Sequence, residues 1–249
     1  MKKLQDITFV CLDCEMTGLD PEHDRVIEVA VVKFNFTEIL SSFESLVYTD
    51  RLISPEALAV HHISSEMLIN APPIKAILPQ LFSVIGDGAM IVGHSIGCDV
   101  SILSKEAERA EIPFPKNYLL IDTLRLARDY GDSPNNALDT LAGHFNIPRG
   151  GAHRAMNDVK TNIEVFKKLT KRYKSLEILL SVLSKPVKMK YMPLGKYKGR
   201  LFADIPLQYL QWALSMDFDL DLLHSIRSEI RHRQQGQRFS QITNPFSEM

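Results

Sequence analysis

Three short stretches gather acids and histidines at spacings that could do chemistry. The first is Asp13-Cys14-Glu15, at the end of the apolar run Ile7–Leu12. In a strand, residues i and i+2 point to the same face, so both carboxylates project together. Like charges this close cost stability unless a cation sits between them. Mg²⁺ and Mn²⁺ are hard ions that favour such oxygen ligands. The bland alternative is a solvated strand end before the turn at Thr17-Gly18. The second stretch is Gly93-His94-Ser95-Ile96-Gly97-Cys98-Asp99. A buried strand runs into a small-residue turn there, and Asp99 opens a helix, either as a further site carboxylate or as its N-cap. The third is Gly150-Gly151-Ala152-His153-Arg154-Ala155-Met156-Asn157-Asp158. His153 stands where a helix begins and Asp158 lies a turn inside it. Five residues span about 140° of helix, so the two need not share a face if His153 belongs to the glycine loop. Cys11 and Cys14 have a Cys-x-x-Cys spacing, but on a strand they point to opposite faces. With no second pair, zinc or redox use is not expected.

The elements that must position these residues follow from periodicity. Residues 7–15, 25–34, 38–48, 89–93 and 119–122 read as strands, short and rich in β-branched residues. Residues 74–86, 99–110, 137–146 and 154–172 read as helices, the last with Met156, Val159, Ile163 and Phe166 at helical spacing. Strands followed by strand–helix alternation predict an α/β sandwich. Pro186 and the Lys-rich stretch around it read as a linker. Beyond it, 206–215 and 219–234 read as helices of a small unit. The expected division is a catalytic domain over 1–172, a basic helix end and linker over 173–190, a small unit over 191–235 and a loose tail over 236–249.

Composition bounds the rest. The chain has 249 residues, 45% hydrophobic and 24% charged, with a formal net charge of −1. That is ordinary globular composition, sufficient for a real core. The charge is unevenly spread: residues 1–166 carry 14 Lys/Arg against 23 Asp/Glu, whereas residues 167–200 carry 11 against one. An acidic body beside a basic segment fits a carboxylate metal site plus a phosphate-binding surface, or a solvated basic helix end. Three cysteines do not make a disulfide scaffold. The N-terminus is too short for a signal peptide, and no apolar run approaches the roughly 20 residues of a membrane span. A cytoplasmic protein is the expectation.

Taken in order, Asp13-x-Glu15-x-Thr17-Gly18-Leu19, His94-x-x-x-Cys98-Asp99 and His153-Arg154-Ala155-x-x-Asp158 resemble the three motifs of the DEDDh exonucleases. These are the relatives of the polymerase III ε proofreading subunit. Ser95 and Cys98 stand where the second motif usually has Asn and Phe. His61-His62-Ile63-Ser64 is similar to the family's Ile-His-Gly-Ile-Thr segment, with His62 in place of Gly. The resemblance implies an RNase H-like α/β fold, a mixed central sheet flanked by helices. It implies Asp13, Glu15, Asp99 and Asp158 as ligands of two divalent ions, Mg²⁺ or Mn²⁺, and His153 as general base. Met16, Thr17, Gly18, Leu19, His61, His94 and Ser95 are expected to line the substrate. The implied activity is metal-dependent 3′→5′ removal of nucleotides from a nucleic-acid end, releasing nucleoside monophosphates. The chemistry suits the residues: two ions activate a water and stabilise the leaving oxygen, and an ordinary histidine, with pKa near about 6.5, takes the proton at neutral pH.

In the small unit, Lys196, Lys198 and Arg200 alternate with Tyr197 between two glycines. This predicts a hairpin that presents cations and an aromatic to phosphates and bases, above a core containing Tyr209, Leu210 and Trp212. The segment is similar to the module that follows the nuclease domain in the exonuclease X group, which turns the expected substrate toward DNA. An RNA trimmer of the oligoribonuclease type is the alternative within nucleases. A subunit serving mainly assembly with a polymerase or clamp is the alternative outside them. For the latter, Gln241-Ile242-Thr243-Asn244-Pro245-Phe246 is similar to clamp-binding peptides, with Asn244 where an apolar residue is usual.

Overall fold

In the computed structural model, side-chain alternation along β1 (Phe9–Met16) sets the layout of the nuclease unit. The structure describes residues 3–133, 135–148, 150–151 and 153–242, with side chains as far as Gln235. Two compact units divide the chain, one ending at Leu183 and one starting at Ser184.

The first unit is built on a five-stranded sheet in the order β3-β2-β1-β4-β5. Here β2 is Val26–Phe34, β3 is Ile39–Leu46, β4 is Met90–Gly93 and β5 is Leu119–Asp122. β1 runs antiparallel to β2 and parallel to β4, and β4 is parallel to β5. The sheet is therefore mixed, as the resemblance implies. β2 is an apolar run between two neighbours and is buried along nearly its whole length. β3 is an edge strand and largely exposed, as one-sided cover allows.

The helices of this unit are α1 (Pro55–His61), α2 (Ser65–Leu68), α3 (Ile74–Ile85), α4 (Gly97–Ala110), α5 (Thr123–Tyr130), α6 (Leu138–His144), α7 (Ala155–Thr170) and α8 (Leu176–Leu183). Val10, Leu12 and Cys14 of β1 join Leu78 and Leu81 of α3 and Leu103 of α4 in one core. Phe9 and Cys11 face the other way, onto Val159, Ile163 and Phe166 of α7. Phe9, Phe34, Phe36 and Phe166 stack there with ring centroids 5.0–6.1 Å apart. Losing one such ring costs about 3–5 kcal/mol, so α7 is firmly seated on the α7-facing side of β1. By the same alternation, Asp13 and Glu15 face α7.

The second unit holds α9 (Leu207–Ala213) and α10 (Leu220–Ile242) around Met192, Phe202, Leu210, Leu222 and Ile226. The loop expected to be a hairpin closes through Met192 N–H to the Arg200 carbonyl and Gly199 N–H to the Met192 carbonyl, both 2.8 Å.

Several expectations need correction. α1, α2 and α5 lie where the sequence shows no element, because one or two helical turns carry too little periodicity. α8 occupies the first part of the stretch 173–190 read as a basic helix end and linker, before Pro186: Leu176, Leu179, Val182 and Leu183 pack on the α7 core. Trp212, expected in a core, is 51% exposed and rests its ring on Tyr209 (5.1 Å), while Leu210 is fully buried. The backbone remains helical through Ile242, into the stretch read as a loose tail. Residue Phe246 and the Gln241 side chain of the clamp-like peptide lie outside the described residues. Among the described residues no helix is long and apolar enough to cross a membrane.

Candidate active site

Asp13 and Glu15 sit on the α7-facing side at the end of β1, and α7 brings Asp158 to them. Ligand oxygens of the three lie within 4.8 Å of one another. Asp99 approaches β1 from the first turn of α4, and its Oδ1 accepts the Cys14 N–H at 2.9 Å. The capping alternative fails here: Ile96 occupies the cap position of α4 without a side-chain bond. A carboxylate that does not cap its own helix is instead buried against the acid strand.

The electrostatics follow from burial and crowding. Burial, then Asp99, Glu15 and Asp158, push the Asp13 carboxyl well above its ordinary range. Burial and the neighbours Asp158 and Glu28 raise Glu15 to about 8. Burial raises Asp99 to about 7, against the pull of the Cys14 N–H. These acids resist ionising together, which is the condition a divalent cation relieves. The donor set, all hard oxygens, fits Mg²⁺ or Mn²⁺. Cys11 and Cys14 are buried on opposite faces with their thiols pushed up by burial, so neither offers a thiolate.

His153 is exposed and precedes α7 in a left-handed conformation, φ 58°. Its N–H donates to Asp158 Oδ2 at 2.9 Å. The backbone therefore aims His153 off the helix, out of the 140° relation that a continuous helix would impose. Sequence reasoning missed what fixes this corner. Glu28, on β2 opposite Glu15, accepts Arg154 Nη2 at 2.7 Å and the Ala155 N–H at 2.9 Å. A signal was available: Glu28 is an acid inside the apolar run Val26–Val32, and a buried charge needs partners.

The residues expected to line the substrate are placed variously. Thr17 is buried; its hydroxyl donates to Asp24 Oδ1 at 2.8 Å and accepts the Arg25 N–H. A Cβ on Gly18 would come within 2.5 Å of the Asp24 carboxylate and would displace it from its bond with Thr17. Met16 is half-buried, whereas Leu19 is 89% exposed. His61 is buried, with Nδ1 accepting the Ile63 N–H at 3.0 Å. Its Nε2, near the Met16 backbone, makes no hydrogen bond among the described residues. His94 turns inward: its Nδ1 is 3.1 Å from the Thr123 hydroxyl, which donates to Asn162 Oδ1 at 2.7 Å. Burial lowers His94 to about 4, so it is neutral at working pH and positions the turn. Ser95 adopts φ 66° and donates its N–H to Asp122 Oδ1 at 2.9 Å. The Asn usual in the family at this position tolerates that backbone better than Ser. Cys98 is exposed on the first turn of α4. Lys196, Lys198 and Arg200 belong to the second unit, all exposed, with Lys196 and Arg200 5.6 and 5.8 Å from the Tyr197 ring.

Comparison with known proteins agrees with this geometry. Residues 10–166 match the family described as RNase T exonuclease. Residues 181–223 match a family described as a quorum-sensing-regulated virulence factor. The DNA polymerase III PolC-type protein of Staphylococcus aureus is 32% identical over 180 residues, covering 71% of this chain. The match spans 12% of that much longer relative. Among solved structures, exonuclease X in complex with 5′-overhanging duplex DNA gives a TM-score of 0.56 at 22% identity, over 70% of this chain and 98% of that one. E. coli exonuclease I in complex with single-stranded DNA gives 0.63 at 19%, over 71% and 42%. These structures share the fold. With the family model matched over more than half of this chain and the acids of the motifs gathered on one corner of the sheet, this chain belongs to the RNase T exonuclease family, the DEDDh 3′→5′ exonucleases.

Proposed function

We propose that this protein removes nucleotides one at a time from the 3′ end of DNA, with Asp13, Glu15, Asp99 and Asp158 holding two divalent ions, Mg²⁺ or Mn²⁺. The observation that carries this reading is the convergence of Asp13, Glu15 and Asp158 within 4.8 Å, beside a buried Asp99 tied to the same strand. When bound, the ions supply charge neutralisation, an activated water and a Lewis acid for the departing 3′ oxygen. The chain's own residues do the rest. His153 takes the proton of the attacking water on a ring nitrogen. The new P–O bond forms as the bond to the 3′ oxygen breaks, releasing a nucleoside monophosphate. His94 and Asp122 hold the turn that carries Ser95. Met16, Gly18 and Leu19 line the terminal nucleotide, and the buried Thr17 and His61 support that segment from behind. Lys196, Lys198 and Arg200, exposed around Tyr197 in the second unit, bind phosphates of the nucleic acid.

DNA is favoured over RNA because relatives sharing the fold, exonuclease X and exonuclease I, are seen in complex with DNA, and the PolC-type relative is a DNA polymerase. We place the activity in DNA replication or repair, in the cytoplasm. Degradation of matched 5′-labelled DNA and RNA strands tests the choice. A DNA ladder formed at least 10-fold faster supports it; faster RNA shortening would make this an RNA trimmer.

A further inference from the structure

A hollow of about 620 Å³ opens toward the C-terminal end of α7, remote from Asp158. Lys3 from the N-terminal turn, Phe36 from the β2–β3 connection, and Lys167, Lys168, Lys171 and Lys174 line it. One acid, Glu164, stands at its margin and pairs with Lys167 at 2.9 Å. Lys3, Lys168, Lys171 and Lys174 have no acidic partner among the described residues. The floor is rigid, because Phe36 packs on Phe9 and Phe166 at centroid distances of 6.1 and 6.0 Å.

General basicity does not explain this gathering. The preceding body, residues 1–166, carries 14 Lys/Arg against 23 Asp/Glu. Cations do favour a helix C-terminus, but that field fades within the last turn, and Lys3 comes from the opposite end of the chain. Converging like charges repel one another, and an anion that binds between them relieves the repulsion. A phosphodiester strand presents its charges at regular intervals, so it can meet several lysines at once and release its counterions. A single small anion would leave most of them unmatched.

We propose that this hollow is a second phosphate-binding surface for the nucleic-acid strand, engaging the backbone several nucleotides upstream of the 3′ end. The inference rests on the exonuclease reading above. α7 sets the distance: ten residues separate Asp158 from Lys168, about 15 Å along a helix. A strand whose end lies at Asp158 therefore reaches the lysines only when it is several nucleotides long. A dinucleotide, with its single phosphodiester, engages the hydrolytic site alone.

Two triple variants test this in the full chain, Lys168→Gln/Lys171→Gln/Lys174→Gln and the corresponding Glu triple. All three side chains are exposed, so neither variant disturbs the core, and a melting curve checks each. Binding of a labelled 30-nucleotide DNA strand is read by anisotropy in EDTA, where turnover is blocked. The Gln triple is expected to bind roughly 10-fold more weakly at low salt. The slope of log affinity against log salt should flatten by about 2, about 0.7 for each lost single-strand contact. The Glu triple should lose more, and turnover of a dinucleotide should be unchanged in both. Unaltered affinity and slope in both variants overturn the proposal. So does an equal loss on the dinucleotide and the 30-nucleotide strand, which would place the damage at the hydrolytic site. If the wild type itself neither binds nor shortens the long strand, the exonuclease reading falls as well. If it does both and only the variants behave as wild type, this proposal falls alone.

Discussion

Arg154 holds Glu28 in a two-pronged grip: Nη2 lies 2.7 Å from Oε1 and Nε 3.2 Å from Oε2. Glu28 is the register partner of Glu15 on the neighbouring strand, and Arg154 is the residue between His153 and α7. The pair therefore fastens the corner that carries His153 to the strand beside the acids. It also places a guanidinium near Glu15, where it partly offsets the surrounding negative charge.

Glu28→Gln or Arg154→Gln is expected to destabilise by about 1–3 kcal/mol, the cost of a broken hydrogen bond to a charged group. The value stays low in that range for Arg154, which is half-exposed. The turnover number should fall roughly 10–100-fold with KM little changed, because the loss is one of positioning. Arg154→Lys should recover only part of the rate, since an ammonium cannot make the paired contact. Steady-state kinetics alongside thermal melts check this. A pure stability loss with intact turnover at low temperature would reduce the pair to a structural bond.

His153→Ala is expected to cut the rate by roughly 10²–10⁴-fold, the usual range for a general base. Metal binding should survive, because its N–H only orients Asp158 and its backbone remains. Isothermal titration with Mn²⁺ separates the roles: lost affinity in this variant would make His153 a ligand.

The raised carboxyls should make stability depend on pH, and the proposed metal site on metal as well. An acid whose folded pKa lies above its unfolded value contributes stability that is complete below the unfolded pKa and lost as pH rises through the folded one. Asp13 is raised, Asp99 lies at about 7 and Glu15 at about 8. In EDTA, the contribution of the cluster to Tm should therefore decline from about pH 4 through about pH 8. With Mg²⁺ held by the ionised acids, as proposed, the rise in Tm on adding it should be larger at about pH 8.5 than at about pH 6. Differential scanning fluorimetry at both values decides; an equal or smaller gain at the higher pH contradicts the ligand assignment.

Much of the nuclease unit was legible in the sequence because its signals are local. The run Val26–Val32 has the composition of a buried strand, and Asp13-x-Glu15 inherits its common face from strand alternation. Val159, Ile163 and Phe166 repeat at helical spacing, which fixes the face of α7 that meets the sheet and brings Asp158 to the acids. What escaped depends on contacts between distant segments. The pairing of Glu28 with Arg154 spans 126 residues, and the route from His94 through Thr123 to Asn162 joins three elements. No pattern within a window of a dozen residues carries such contacts. Asp99 was legible as an acid at a helix start, but whether it capped α4 or met β1 depended on how the two elements pack.

His62 illustrates a departure from the family pattern with a physical consequence. It ends α1 in the left-handed region, φ 57°, where the similar segment in the family has glycine. A side chain there costs about 1 kcal/mol. His62→Gly should raise Tm of the nuclease unit by about 2–4 °C with turnover retained. A melting curve showing no gain, or a loss, would mean that the imidazole makes a compensating contact.

The most direct test of the central claim, that the acids at the end of β1 hold metal for 3′→5′ hydrolysis, is a shortening assay on a 5′-labelled DNA strand. Wild type and Asp13→Ala are compared in Mg²⁺ and in EDTA, with melting curves to confirm folding. Wild type in Mg²⁺ is expected to produce a ladder shortened one nucleotide at a time from the 3′ end, while EDTA or Asp13→Ala abolishes it. Near wild-type shortening by a folded Asp13→Ala variant, or a ladder that persists in EDTA, would contradict the claim.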